Sequence, residues 1–165
     1  ADIIVVTKCP ELEDSKKNEV ISKIGATAKQ QVFFSSITYG QPVSFKADEE
    51  LTSKFILVTG IANASPLITH LETQGELVHH FKYNDHHKFR SDELTEIHNL
   101  FDKFANEKLV IITTEKDAMR LISKEFSESL NKYPWFYQPI EVEIDDKIRF
   151  NQAVLEYVKE NNRDH

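Results

Sequence analysis

Apolar residues in this chain gather in short unbroken runs separated by polar stretches. Ile3 to Val6, Val32 to Phe34, Phe55 to Val58 and Leu109 to Thr113 are four such runs. Runs this short, rich in β-branched residues, predict strands buried on both faces, as in a parallel sheet. The stretches between them carry helical patterning. Residues 12–24 are rich in Glu, Lys, Asp and Ser with Val20, Ile21 and Ile24 on one side, and Gly25 is placed to stop that helix. Gln31 to Ile37 predicts a second strand, Tyr39 to Pro42 a turn and Val43 to Phe45 a short strand. Residues 46–53 form a polar connector and the best place for a boundary between lobes. A helix is expected from Pro66, which suits a first turn, to Gly75; Leu77 to Tyr83 reads as a strand. Ser91 is the expected N-cap of the clearest helix, with Asp92 and Glu93 in its first turn and Leu94, Ile97, Phe101 and Phe104 as its apolar stripe. Trp135 to Ile144 is extended and aromatic-rich. A last helix covers Lys147 to Asn161, with Ile148, Val154, Leu155, Tyr157 and Val158 apolar. The alternation of strands and helices predicts an α/β fold, a mostly parallel sheet flanked by helices.

Ligands of such sheets bind beyond the carboxyl ends of the strands. Three strand ends carry polar clusters: Thr59-Gly60 with Asn63, Asp85-His86-His87, and Thr114-Glu115-Lys116-Asp117-Ala118-Met119-Arg120. If the three strands are parallel, all three clusters share one edge. An Asp beside a His can fix its tautomer and raise its basicity, which suits a base or a phosphate contact; a solvated loop or a metal-ligand set reads equally from the triplet. Thr114 and Asp117 fit an N-cap pair, which needs neither Lys116 nor Arg120; those two cations lie four apart on one helix face, where a phosphate contact is the other reading. Gly60 permits a tight turn and close backbone approach, or merely joins a strand to a helix. Lys8, after the first strand, can reach a bound nucleotide or stand in solvent. His79 and His80 read as strand alternation, and Trp135, Phe136 and Tyr137 as core.

The charge balance narrows the classes. A formal net charge of -7, from 20 Lys+Arg against 27 Asp+Glu, argues against a nucleic-acid surface. The single cysteine, Cys9, excludes an intrachain disulfide and fits a reducing compartment. No apolar stretch approaches the roughly 20 residues of a membrane span. There is no GxxxxGK[ST] loop for a triphosphate and no Cys/His spacing for structural zinc. The chain lacks an initiator Met and opens directly into a buried-strand pattern, as expected of part of a longer protein.

Thr59-Gly60-Ile61-Ala62-Asn63, then Phe81 with Asp85-His86-His87 and Phe89, then Thr113-Thr114-Glu115-Lys116-Asp117-Ala118-Met119-Arg120-Leu121 resemble the lipid A 4'-kinase (tetraacyldisaccharide 4'-kinase) family in order and spacing. The opening Ala1 to Pro10, Pro139-Ile140 and the closing helix resemble it too, so the likeness covers nearly the whole chain. The family often has Pro directly after the Asn of its GIAN motif; here Ala64-Ser65 precede Pro66. The resemblance implies the C-terminal part of a P-loop-kinase-like protein lacking the Walker A segment. Residues 1–45 would be the end of an upstream nucleotide-binding lobe or linking strands, and residues 46–165 a C-terminal α/β lobe. The implied reaction moves the ATP γ-phosphate to the 4'-hydroxyl of tetraacyldisaccharide 1-phosphate at the cytoplasmic face of the bacterial inner membrane. ATP and Mg²⁺ would be held mainly by the upstream half. This chain, soluble and inactive alone, would supply Asp85, His86 and His87 to catalysis. It would also supply Lys8, Thr59, Gly60, Asn63, Thr114, Glu115, Lys116, Asp117 and Arg120 to nucleotide or phosphate binding, with no metal ligand. Contact with the membrane would come through the full-length protein, and no nucleic acid is implied. Two other classes remain: a DHH-type metal-dependent phosphoesterase fragment, and a non-catalytic α/β binding module.

Overall fold

The computed structural model describes residues 1–47, 49–104, 106–122 and 124–161. In chain order the elements are β1 (Ile3–Val6), α1 (Asp14–Ile24), β2 (Gln31–Tyr39), β3 (Val43–Ser44), β4 (Lys54–Thr59), α2 (Ser65–Glu72), β5 (Glu76–Lys82), α3 (Ser91–Asp102), β6 (Leu109–Thr114), α4 (Glu115–Leu121), α5 (Ser127–Leu130), β7 (Trp135–Gln138), β8 (Ile140–Ile144) and α6 (Lys147–Asn161). They form two compact units, residues 1–38 with 140–165 and residues 39–139. The polar connector 46–53 lies inside the second unit, and α6 belongs to the first.

In the first unit the strands lie in the order β1-β2-β8. β1 and β2 are parallel, with Ile3 opposite Gln31 and Val6 opposite Phe34. α1 joins them and ends where Gly25 takes left-handed backbone (φ 66) and its N–H reaches the last carbonyls, as the sequence predicts. Phe33 is fully buried and meets the Phe150 ring of α6 edge-on at 5.2 Å. Lys17 of α1 pairs with Asp145 at 2.8 Å.

The second unit holds a five-stranded sheet in the order β3-β7-β6-β4-β5. β5, β4, β6 and β7 are mutually parallel and β3 is antiparallel at the edge. Strand alternation sends side chains to two faces, and both are covered. Ile56, Val58, Leu109 and Ile111 pack with Leu94 and Ile97 of α3 and Leu121 of α4. Phe55, Leu57, Val110 and Ile112 pack with Leu67 and Leu71 of α2. Removing a side chain such as Ile97, fully buried, from water stabilises the fold by about 2 kcal/mol. This double burial is why the runs show no polar alternation. His98 is one of the polar residues buried in this unit. His98 accepts from the Trp135 indole N–H at 3.0 Å, faces Ser129 Oγ through its other nitrogen at 3.2 Å, and stacks on Tyr133 at 3.8 Å.

Three local expectations change. α2 ends at Glu72 rather than at Gly75, because Thr73 caps it by bonding its hydroxyl to the His70 carbonyl at 2.6 Å. Ser91 is the first residue of α3, not its cap: the Glu93 carboxylate accepts the Arg90 N–H at 2.9 Å, and the Ser91 carbonyl accepts from Thr95. Residues 135–144 form two strands in two different sheets, β7 and β8, not one extended segment.

β4 has β5 on one side and β6 on the other, so the chain reverses its direction of travel across the sheet at β4. The connection after β4 enters α2 on one face; the connection after β6 enters α4 on the other. A crevice between adjacent parallel strands with diverging connections is where open α/β sheets bind ligands.

Candidate functional site

At that crevice β4 runs out into Gly60 and β6 ends in Thr114, and the segment after β5 brings Asp85 to His87 against them. Asp117 is the centre. It is fully buried, and its carboxylate accepts the Gly60 N–H at 2.7 Å, the Thr114 hydroxyl at 2.7 Å and an Arg120 N–H at 2.9 Å. Its own N–H donates to Thr114 Oγ1 at 3.0 Å, so Thr114 caps α4. Gly60 is dictated by this approach: a Cβ there would sit 3.0 Å from Asp117 Oδ1 and 3.2 Å from His87 Cβ.

Asp85 and His86 stand at the surface of the same cluster. His86 has left-handed backbone (φ 61), its N–H reaches the Gly60 carbonyl at 3.2 Å, and Asp85 Oδ1 accepts that N–H at 2.9 Å. Lys116 Nζ donates to Asp85 Oδ1 at 2.8 Å. This ammonium holds the Asp85 carboxyl below its usual range, against the opposing effect of partial desolvation. Arg120 Nη2 lies 3.1 Å from His86 Nδ1. The cations of α4 thus tie the β5–α3 turn to the end of β6. Both remain partly open, with side-chain exposures of 43% for Lys116 and 25% for Arg120, so an incoming anion can share them.

His87 points the other way. Its Nε2 faces both Glu93 oxygens at 3.0 and 2.9 Å, a carboxylate that only accepts, so the proton sits on Nε2. Its ring stacks on Tyr83 at 4.5 Å and meets Phe89 edge-on. Burial, reinforced by Glu93, pushes the Tyr83 phenol up to about 12. His87 anchors the turn from below while His86 presents outward.

The remaining expected residues are placed as follows. Thr59 is fully buried and bonds His80 Nε2 at 2.8 Å, inside the sheet rather than at its rim. Asn63 accepts the Ser65 N–H at 3.0 Å and so shapes the entry to α2. Glu115 lies in the first turn of α4. Lys8 belongs to the first unit, where it follows β1 with left-handed backbone (φ 58). Glu93 escaped the reading of the chain as a site residue, although it sits where a helix-capping carboxylate is expected three residues after Arg90. Among the described residues no group of three or more His, Cys, Asp or Glu side chains is arranged to hold a metal ion. Asp85 and Asp117 each already pair with a cation.

The sheet order and the crevice define an α/β protein with a mostly parallel sheet and two partly exposed cations, Lys116 and Arg120, at its switch point. The family model described as LpxK, tetraacyldisaccharide-1-P 4'-kinase, matches residues 1–159, and the chain belongs to that family. A tetraacyldisaccharide 4'-kinase of Bacteroides thetaiotaomicron is 36% identical, over 99% of this chain and 48% of that protein. One from Bacteroides fragilis is 35% identical over 99% and 47%, and one from Flavobacterium johnsoniae 33% over 98% and 46%. The chain thus spans about half the length of the curated relatives it matches, and it corresponds to their C-terminal part. A crystal structure of "apo" form LpxK from Aquifex aeolicus in complex with ATP shares the fold, with a TM-score of 0.51 and 12% identity over 94% of this chain and 42% of that one.

Proposed function

We propose that this chain is the C-terminal part of a kinase that transfers the ATP γ-phosphate to the 4'-hydroxyl of tetraacyldisaccharide 1-phosphate. The observation that carries the reading is the Asp85–His86 turn, bonded to Lys116 and Arg120 at the switch point of a chain matched by the family model over residues 1–159. Phosphoryl transfer depends on positioning and on neutralising charge over the transferred group. The edge offers both: two partly open cations, an outward His86, and a turn locked by the buried Asp117.

These donors suit phosphate oxygens, so contact with the ATP γ-phosphate or with the acceptor falls to His86, Lys116 and Arg120. Lys8, Thr59, Gly60, Asn63, Thr114, Glu115 and Asp117 shape or support the binding region. Mg²⁺ does not fit here, because the carboxylates of the edge are already engaged by cations. Mg²⁺ and the triphosphate are assigned to the preceding half of the full-length protein. When bound, Mg²⁺ supplies charge neutralisation on the phosphates. The full-length protein works at the cytoplasmic face of the inner membrane; among the described residues no helix is long and apolar enough to cross it.

The test is His86→Ala in the full-length protein. A kcat loss of about 10²–10³-fold with unchanged melting is expected, and an unchanged kcat would remove His86 from the reaction. Titration of this chain with ATP and Mg²⁺, alone and with the separately produced preceding half, tests the division of labour. Binding and turnover are expected only in the mixture.

A further inference from the structure

We infer that the outward side of α6 is a docking seam for a helix of the preceding half of the full-length protein, with Ile148, Leu155 and Val158 as its contact residues. Neither the seam nor its occupant depends on the phosphoryl transfer proposed above.

α6 is fixed to its own unit by one side. Phe150 meets Phe33 edge-on at 5.2 Å, Arg149 donates to the Val32 carbonyl at 3.0 Å with its guanidinium over the Phe33 ring, and Ala153 is buried. At about 100° of turn per residue, these three share one side of the helix, centred near Ala153. Ile148, Asn151, Leu155 and Val158 fall on the opposite side, at successive spacings of three, four and three residues. Ile148, Leu155 and Val158 are 76%, 57% and 45% exposed. A helix with apolar residues on two opposite sides is built to lie between two layers, and its own sheet is one of them.

The spacing fits a second helix. A three-four alternation makes a seam one helix wide, whereas a helix lying on a bilayer needs a broad apolar face bordered by Lys and Arg. Here Asn151 interrupts the apolar side, and Glu156 and Glu160 balance Lys147 and Lys159. The seam is also short. Three apolar side chains over one and a half heptads bury far less than the roughly 1,200–2,000 Å² of a stable complex between free proteins, so they do not hold a second copy. A partner in the same polypeptide needs no such area, because its effective concentration is high. This chain covers 48% of the Bacteroides thetaiotaomicron kinase and corresponds to its C-terminal part, so the rest of such a protein precedes it. The first unit is also where cover is lacking. Val5 of β1 and Ile140 and Val142 of β8 are exposed, whereas β6 in the second unit is wholly buried.

Photocrosslinking in the full-length protein tests the seam. Benzoylphenylalanine in place of Leu155 is expected, on irradiation, to bond to a peptide of the preceding half within one polypeptide. The same group in place of Ile148 should reach a second position on the same helix. In place of Glu156, on the flank, it should reach neither. A cross-linked dimer overturns the inference. So does an adduct with lipid in phosphatidylethanolamine–phosphatidylglycerol vesicles, equal yields at Leu155 and Glu156, or no cross-link in a folded protein. Leu155→Asp with Val158→Asp is the second arm. Amide exchange in α6 of the full-length protein is expected to quicken by about tenfold or more, with β6 unchanged; unchanged exchange in α6 overturns the inference. If the double variant does not fold, the cross-link carries the test. Neither arm reads turnover, so failure here is separable from failure of the kinase reading.

Discussion

A buried carboxylate surrounded by donors is stable only as a set. Asp117 satisfies Gly60 N–H, the Thr114 hydroxyl and Arg120 at once, so removing it strands an arginine and a backbone donor together. Asp117→Ala is expected to cost about 3–5 kcal/mol in urea unfolding. A loss under about 1 kcal/mol would mean that the hub is not what joins β4 to α4. His98 makes the second residue-scale prediction. Burial pushes its imidazole down to about 4 from the ordinary 6.5, and its Nε2 accepts the Trp135 indole N–H. The unfolded chain therefore binds this proton first. The contribution of His98 is complete above pH 6.5 and is lost as pH falls toward about 4. Its size is on the order of 3 kcal/mol. Asp85, Asp92 and Asp145 are lowered from the ordinary 3.8 and so titrate below most of that window. Urea midpoints between pH 7 and pH 4.5 should fall in the wild type and fall much less in His98→Gln, whose side-chain carbonyl can still accept the indole N–H. Equal slopes would show that His98 is not the group responsible.

At the scale of elements, the sequence states most clearly what is governed by burial. β4 and β6 are buried on both faces, and their unbroken apolar runs say so directly. The Thr114–Asp117 spacing was legible as a cap, and the cap forms. Its second use was not legible, because the Gly60 partner lies 57 residues away and is fixed only by the pairing of β4 with β6. Lys116 and Arg120 were legible as one helix face; that they go to Asp85 and His86 respectively depends on the crossover over β4. The start of α3 was misread for a local reason: Ser91 looks like a cap, yet Glu93 does that work and also holds His87. This dual role yields a prediction. Glu93→Ala removes both the cap of α3 and the acceptor under His87, and is expected to cost about 2 kcal/mol. Glu93→Gln keeps an acceptor for both and should recover more than half of it. If the two variants unfold at the same urea concentration, the carboxylate charge rather than the capping geometry is what α3 needs.

At the scale of the molecule, the two units are unequally built. The second has two apolar layers on a five-stranded sheet, and β6 is wholly buried. The first has a three-stranded sheet, and α1 contributes no buried residue to it. Among its described residues the buried apolar side chains are Phe33, Phe34 and Ala153. β1 reads in sequence as a strand covered on both faces, yet its residues are half-buried and Val5 is exposed. Opening free energy follows buried apolar contact, so hydrogen exchange should rank the two units. In this chain the amides of β6 are expected to exchange only through global unfolding, and those of α1 and β1 orders of magnitude faster. The chain spans about half the length of its relatives, so the same measurement belongs in the full-length protein as well. There β1 and α1 should gain protection while β6 does not change. Uniform protection in the isolated chain would mean that the first unit is stabilised without such cover, and that its half-exposed strand is complete as it stands.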